Sequence, residues 1–350
     1  MQTQPLINLL HHPESVVKLS DEDWNDIVMT ARQNQLLGPL AARLKATASW
    51  NDVPPAVRRH LDLELLTAQR RGESAQGELA MIRRTISADV DLILLKGCAY
   101  LCAGDANQTG RIFSDVDVMV GRGQLAQVES ELIGGGWKPS KVDAYDDAYY
   151  RNWMHEVPPM EHVRRHTVLD LHHAINPPVA RYFVNPALLT ATKVEVAAGV
   201  FVLAPLDRVL HCAIHLIQEG EPKKLLRDLY DLHLLLAQHS AETGGIDGLL
   251  SRARELGIYP LACAAAGAAS EVFHGRSDTP RATLLQKLLV VAAIKAHDTY
   301  GIAGWLAGTA VLVYSHWIKM PLRLLLPHLC RKSAKALFSA DKGKNQEIKA

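Results

Sequence analysis

"GRIFSDVDVMV" (residues 110–120) sets two aspartates, Asp115 and Asp117, one residue apart in an otherwise apolar run. An isolated ionised carboxylate is costly to desolvate, so such a strand either ends at water or holds something positive. Side chains alternate across a strand, so residues two apart share a face. Asp115 and Asp117 therefore point one way, and Val116 and Val118 the other. Two neighbouring carboxylates repel unless they are protonated, paired with bases or bridged by a cation. A hard divalent ion such as Mg²⁺ is the usual bridge.

Outward from this strand, the texture divides the chain. Residues 1–88 read as helical: "SDEDWNDIVMTARQNQLLGPLAARL" opens with Ser20 and, three residues on, Asp23, an acidic form of the capping pattern. A longer helical stretch runs from Pro54 towards Ala88. "VDLILL" (90–95) is a buried-strand candidate, ended by Lys96-Gly97 and followed by a short helix over "CAYLCA". After the D-x-D strand, "GQLAQVESELI" reads as a helix ending in three glycines. Residues 137–204 read as strands and loops, with a hairpin around Arg164-Arg165, and "VFVLAP" is a further strand stopped by Pro205. Everything beyond Leu206 has helical periodicity. The expected fold is α+β: a small mixed sheet in a core over 89–205, an N-terminal helical region over 1–88, a C-terminal helical domain over 206–338 and a polar tail over 339–350.

Composition narrows the function. The chain has 350 residues, with 38 basic against 37 acidic side chains and a net charge of +1. Near-neutrality offers no electrostatic track for a long nucleic acid. Apolar content of 48% with mean hydropathy near zero reads as soluble and globular. The five cysteines form no C-x-x-C pair and leave an odd count, which suits a reducing compartment. The N-terminus has neither the basic flank nor the long apolar segment of a signal peptide, so cytoplasmic residence is expected. The uncharged run Ile302–Ile318 is short for a membrane span and contains Ser315 and His316. A buried helix followed by an amphipathic basic one is the favoured reading, with peripheral membrane contact by the basic segment ranked behind it.

A metal-bridged D-x-D pair needs a third carboxylate on a neighbouring strand. Asp170 in "VLDLHH" is the candidate, sharing a face with Val168 and His172 while Leu169 and Leu171 face away. Its alternative is a strand-edge aspartate paired with Arg164 or Arg165. Strand, Lys-Gly, short helix, D-x-D strand, then D-L-H is an order that resembles the polymerase-β-type nucleotidyltransferases. The likeness is nearest to an uncharacterised bacterial branch reading L-K-G, an Arg shortly before D-h-D-h-h-V, then D-L-H. Here these are "LLKG" (94–97), Arg111, "DVDVMV" (115–120) and "LDLH" (169–172). The likeness extends to the helical flanks "LHCAIHL" and "LLRDLYDLHLLL".

That resemblance implies that Asp115, Asp117 and Asp170 bind two Mg²⁺ ions (or Mn²⁺), with Asp170 as base or positioner of the acceptor hydroxyl. It implies that Lys96 and Gly97 lie against the triphosphate, where helix-start N–H groups suit an anion. Arg111 and Ser114 are the further nucleotide-binding candidates. The chain departs from the wider superfamily in having Lys96-Gly97 where Gly-Ser or Gly-Gly is usual, and its polar "GDANQTG" (104–110) is expected to be mobile. The activity implied is Mg²⁺-dependent transfer of a nucleoside monophosphate from an NTP to an acceptor hydroxyl, releasing pyrophosphate. A small molecule, a sugar or a protein side chain is the expected acceptor.

Two rival readings stand beside this one. The first is a catalytically silent nucleotide-binding or scaffold protein that keeps the fold. Alternatively, His155, His162, His166, His172 and His173, or the pair His211 and His215 four apart on a helix, could serve a metal hydrolase. The spacing of His162 and His166 falls on a turn rather than a helix, and the second pair lacks a nearby acidic base or third ligand. In "LLRDLYDLHLLL", Arg227 and Asp231 are spaced for an ion pair, with Asp228 facing elsewhere and capping or pairing locally. If the helical domain contacts the nucleotide, Arg227 or Asp228 is the expected contact.

Overall fold

Short apolar runs between helices fold here as a seven-stranded mixed sheet. The computed structural model describes residues 3–140, 143–239, 244–276, 279, 283–295, 302–327 and 331. The strands are β1 (Leu92–Leu94), β2 (Asp115–Met119), β3 (Trp137–Pro139), β4 (Met160–His162), β5 (Val168–His172), β6 (Val194–Ala197) and β7 (Val200–Val202), in the spatial order β3-β4-β5-β2-β1-β7-β6. β2 lies at the centre, parallel to β5 and antiparallel to β1. The β2–β5 register sets Asp117 directly opposite Asp170.

Helices α1 (Gln4–His11), α2 (Asp21–Gln33), α3 (Leu37–Lys45) and α4 (Pro55–Thr85) precede the sheet, and α5 (Lys96–Ala103), α6 (Leu125–Gly134), α7 (Ala144–Trp153) and α8 (Pro186–Thr190) interrupt it. Following it are α9 (Pro205–Glu219), α10 (Leu225–His239), α11 (Gly245–Glu255), α12 (Tyr259–His274), α13 (Leu284–Lys295) and α14 (Ile302–Lys319). The capping pattern of α2 is realised: the Ser20 hydroxyl accepts the Asp23 N–H at 3.2 Å, and the Asp23 carboxylate accepts the Ser20 N–H at 2.9 Å. Such a cap contributes about 1 kcal/mol. α4 and α9 each begin with proline, whose missing N–H costs nothing there.

The alternation read from the sequence divides the core. Val116, Val118, Leu169 and Leu171 pack in one apolar layer with Ile82, Val128 and Leu132. The opposite sheet face contributes Ile93 and Met119 to a second cluster shared with α1–α3 and the helices from α9 onward. That second layer leaves the carboxylates of β2 and β5 at an opening between the sheet and α9.

Four expectations are corrected by tertiary context. Residues 137–204 contain two helices as well as strands: Asp143 caps α7 by accepting the Tyr145 and Asp146 N–H groups, and Asn185 caps α8. The polar segment 104–110 is anchored rather than mobile. Asp105 is fully buried, with two 2.7 Å hydrogen bonds from Arg208 and a 2.9 Å contact with His239. Gly38 also packs so tightly on Gly110 that a Cβ there would sit 2.1 Å from the Gly110 carbonyl oxygen. Arg227 pairs with Asp228, at 2.6 Å, and not with Asp231, which is buried against Arg111. Finally, α14 is buried on one face only, where Gly304, Ala307, Gly308, Val311, Ser315 and Ile318 pack inward.

The polar tail (339–350) lies outside the described residues. Among the described residues, no helix is long and apolar enough to cross a membrane.

Candidate active site

The D-x-D strand ends in a cavity of about 650 Å³, and Lys96, Gly97, Arg111, Ser114, Asp115, Asp117 and Asp170 all line it. Its polar wall comes from β2, β5 and the start of α5, and its far wall from α9 and α10.

Asp117 and Asp170 face each other across the parallel β2–β5 pair, and with His172 they bring three donor atoms within 4.8 Å of one another. The two acids have opposite electrostatics. Burial would push the Asp117 carboxyl up, but the Lys96 ammonium at 2.7 Å and His172 Nε2 at 3.1 Å outweigh it and hold Asp117 well below the usual carboxylate range. Asp170 has no such partner: its Oδ1 is buried without a hydrogen bond, and Arg165 is instead engaged by Glu78. Burial, then the charges of Asp117 and Glu156, raise the Asp170 carboxyl to about 7. The strand-edge ion pair weighed for Asp170 in the sequence is therefore not formed.

Asp115 shares the face of Asp117 but stands at the exposed end of β2, where its Oδ1 accepts the Ser114 hydroxyl at 2.7 Å. It is not part of the close donor cluster. Lys96 sits at the corner between β1 and α5 with φ +47°, a left-handed conformation that non-glycine residues seldom adopt. Its side chain points at Asp117, not at open space. Gly97 follows in the first turn of α5, where a Cβ would approach the Phe113 ring at 3.1 Å. Arg111 is committed: it is paired with Asp231 and lies 5.6 Å from the centre of the Tyr100 ring. It borders the cavity with its charge balanced by Asp231 and its Nε buried without a hydrogen bond.

The histidines part company. His155 and His172 come together, their ring centroids 5.2 Å apart, and Glu156 Oε2 lies 3.4 Å from His172 Nδ1. His155, Glu156 and His172 form a second set of donor atoms within 4.8 Å, sharing His172 with the first. His162 accepts the N–H groups of Arg164 and Arg165 in the hairpin turn, and His166 pairs with Glu161. His211 and His215 line the cavity from α9; burial, then the nearby Lys96 charge, lowers His211 to about 3 and His215 well below its usual value. They are neutral imidazoles in the cavity wall.

Sequence reasoning missed Glu156, Tyr150, Gln218 and Lys224, which line the same cavity. Glu156 reaches it through an isolated antiparallel bridge to His172, a pairing without a local signature. A hard divalent cation fits this donor set. A buried unpartnered carboxylate oxygen beside a second carboxylate is a pair whose repulsion such an ion relieves.

Residues 20–274 match a family described as uncharacterised nucleotidyltransferase. No curated protein and no solved structure matches the chain.

Proposed function

The chain belongs to this uncharacterised nucleotidyltransferase family, and on that premise we propose that it moves a nucleoside monophosphate from an NTP to an acceptor hydroxyl, releasing pyrophosphate. The observation that carries the reading is the unpartnered Oδ1 of Asp170 opposite Asp117 in the cavity. Asp117 and Asp170 would hold Mg²⁺, with Asp115 at the mouth completing a two-ion set. Bound there, the metal supplies charge neutralisation of the triphosphate and of the developing transition state.

The chain's own residues do the rest. Asp170 accepts the acceptor's proton as its oxygen bonds to the α-phosphorus and the bond to the bridging oxygen of pyrophosphate breaks. Lys96 lies beside Asp117, and its ammonium would answer the phosphates where Asp117 holds the metal. The N–H groups at the start of α5, including Gly97, face an anion favourably. The neutral imidazoles of His211 and His215 and the Gln218 amide offer hydrogen bonds to an uncharged part of the nucleotide or acceptor. The limited size of the cavity and the balanced net charge favour a small molecule, a sugar or a single protein side chain as acceptor.

A second reading has one observation behind it. Lys96 already neutralises Asp117, as it would in a protein that binds nucleotide without transferring it. Calorimetric titration with NTP and Mg²⁺, paired with transfer of α-labelled NMP from each NTP into small-molecule and protein fractions, separates the two. Label transfer that disappears in Asp117→Asn supports the enzyme. Binding without transfer from any fraction supports the silent protein, and absence of NTP binding overturns both.

A further inference from the structure

Helix α14 is apolar on both sides, and only one side is packed. Its inward residues recur at helical spacing from Gly304 to Ile318 and meet α9 and α13. The opposite face carries Ile302, Trp305, Leu306, Leu312, Val313 and Trp317, exposed at 73%, 68%, 54%, 39%, 62% and 37%. Around the helix these positions fall in one continuous stripe, shared only with Thr309 and His316, and no charged residue interrupts it before Lys319. A helix apolar all round belongs against protein or lipid, and a soluble surface seldom leaves a patch of this extent to water. Leu322 and Leu326, 50% and 57% exposed in the helical residues 322–327, extend the apolar surface past Pro321.

Charge tells which occupant the stripe suits. From Thr299 to Ala340 the sequence has no aspartate or glutamate, yet it has Lys319, Arg323, Arg331, Lys332 and Lys335. In a chain with a net charge of only +1 that is a strong local asymmetry. Lys319 is answered by Glu219 and Arg331 lies over the Tyr145 ring, but Arg323 is exposed beside Leu322. Two identical copies meeting on this face would bring like charges together. An anionic lipid surface would take the apolar stripe, with its two tryptophans, at the headgroup boundary and Arg323 among the phosphates. No described helix qualifies as a span, so the contact is one of lying on the bilayer.

We propose that the outward face of α14, together with the exposed Arg323 that follows it, forms a peripheral docking surface for an anionic membrane. Lys319, at the end of α14, also lines the active-site cavity, so docking sets that cavity beside the bilayer. The inference rests on the helix surface and not on the reading of the site.

Flotation of the full-length protein with phosphatidylcholine vesicles, with and without phosphatidylglycerol, tests it. Binding to the anionic vesicles alone is expected, weakening as salt is raised. Trp305→Glu with Val313→Glu should lower the vesicle-bound fraction at least ~tenfold, and Arg323→Glu should lower it on anionic vesicles. Because these side chains are exposed, unchanged melting temperatures would show that the variants fold. The proposal is overturned if the wild-type chain stays with the vesicle-free fraction, or if folded Trp305→Glu/Val313→Glu floats as well as wild type. It is equally overturned if light scattering finds a dimer that the same substitutions split, since the stripe then receives a second copy.

Discussion

Asp117 and Asp170 face each other in register on adjacent parallel strands, but only Asp117 has a cation of its own: Lys96 Nζ lies 2.7 Å from its Oδ1. One carboxylate is thus held ionised while its neighbour, short of a partner, is pushed towards protonation. Both the expected chemistry and its tests follow from that asymmetry.

Asp117→Asn keeps the side-chain shape and removes the charge. Nucleotidyl transfer should fall by roughly three orders of magnitude or more, as when a metal-holding and charge-stabilising group is lost. Stability should fall as well, because the partly buried Lys96 loses its carboxylate. Label-transfer rates and thermal melting measure the two effects, and a fully active variant would rule out a metal role for this residue.

Asp170 predicts a pH dependence. Its folded value of about 7 lies above the ordinary carboxyl value of about 3.9. Between these the folded state binds more protons than the unfolded one, so stability is full below the lower value and is lost as pH rises through the upper. Asparagine cannot ionise. In metal-free buffer, Asp170→Asn should match wild type near the acid end of this window and exceed it by about 1–3 kcal/mol above it. Mg²⁺ affinity of the wild type should rise over the same window. A stability difference independent of pH would show that Asp170 is not protonated in the metal-free fold.

Lys96→Met removes the cation that competes for Asp117. Calorimetry should find Mg²⁺ binding several-fold tighter, with NTP affinity reduced, because the ammonium is the group expected to turn to the phosphates. Mg²⁺ binding weakened along with NTP binding would mean that Lys96 supports the metal site rather than occupying its place.

The Asp105–Arg208–His239 cluster makes a prediction about the frame alone. Asp105→Ala leaves the Arg208 guanidinium buried with only the Leu203 carbonyl as acceptor. Breaking a buried pair in this way costs about 3–5 kcal/mol. Urea denaturation should show a loss of that size, and a change below about 1 kcal/mol would mean that the pair behaves as a solvated one.

What the sequence determined by itself is everything that depends on neighbours along the chain. Alternation put Asp115 and Asp117 on one face and Val116 and Val118 on the other, since a strand's side chains reverse at every residue. The cap of α2, the short helix after Lys96 and the hairpin at Arg164-Arg165 were legible for the same local reason. Order along the chain also pointed to Asp170 as the third acid. The tertiary structure decided the partners. Arg111 finds Asp231 across 120 residues, Asp105 finds Arg208 across 103, and Lys96 turns to Asp117 across 21. None of these spacings has a period: the first two are set by how helices beyond the sheet pack back onto it, and the third by the antiparallel pairing of β1 with β2. Burial then makes such pairings obligatory, since a charge removed from water must find its opposite within the fold. The same packing left one face of α14 outside the core. A hydropathy profile cannot make that distinction, because buried and outward-facing apolar residues read alike until the neighbouring helices are in place.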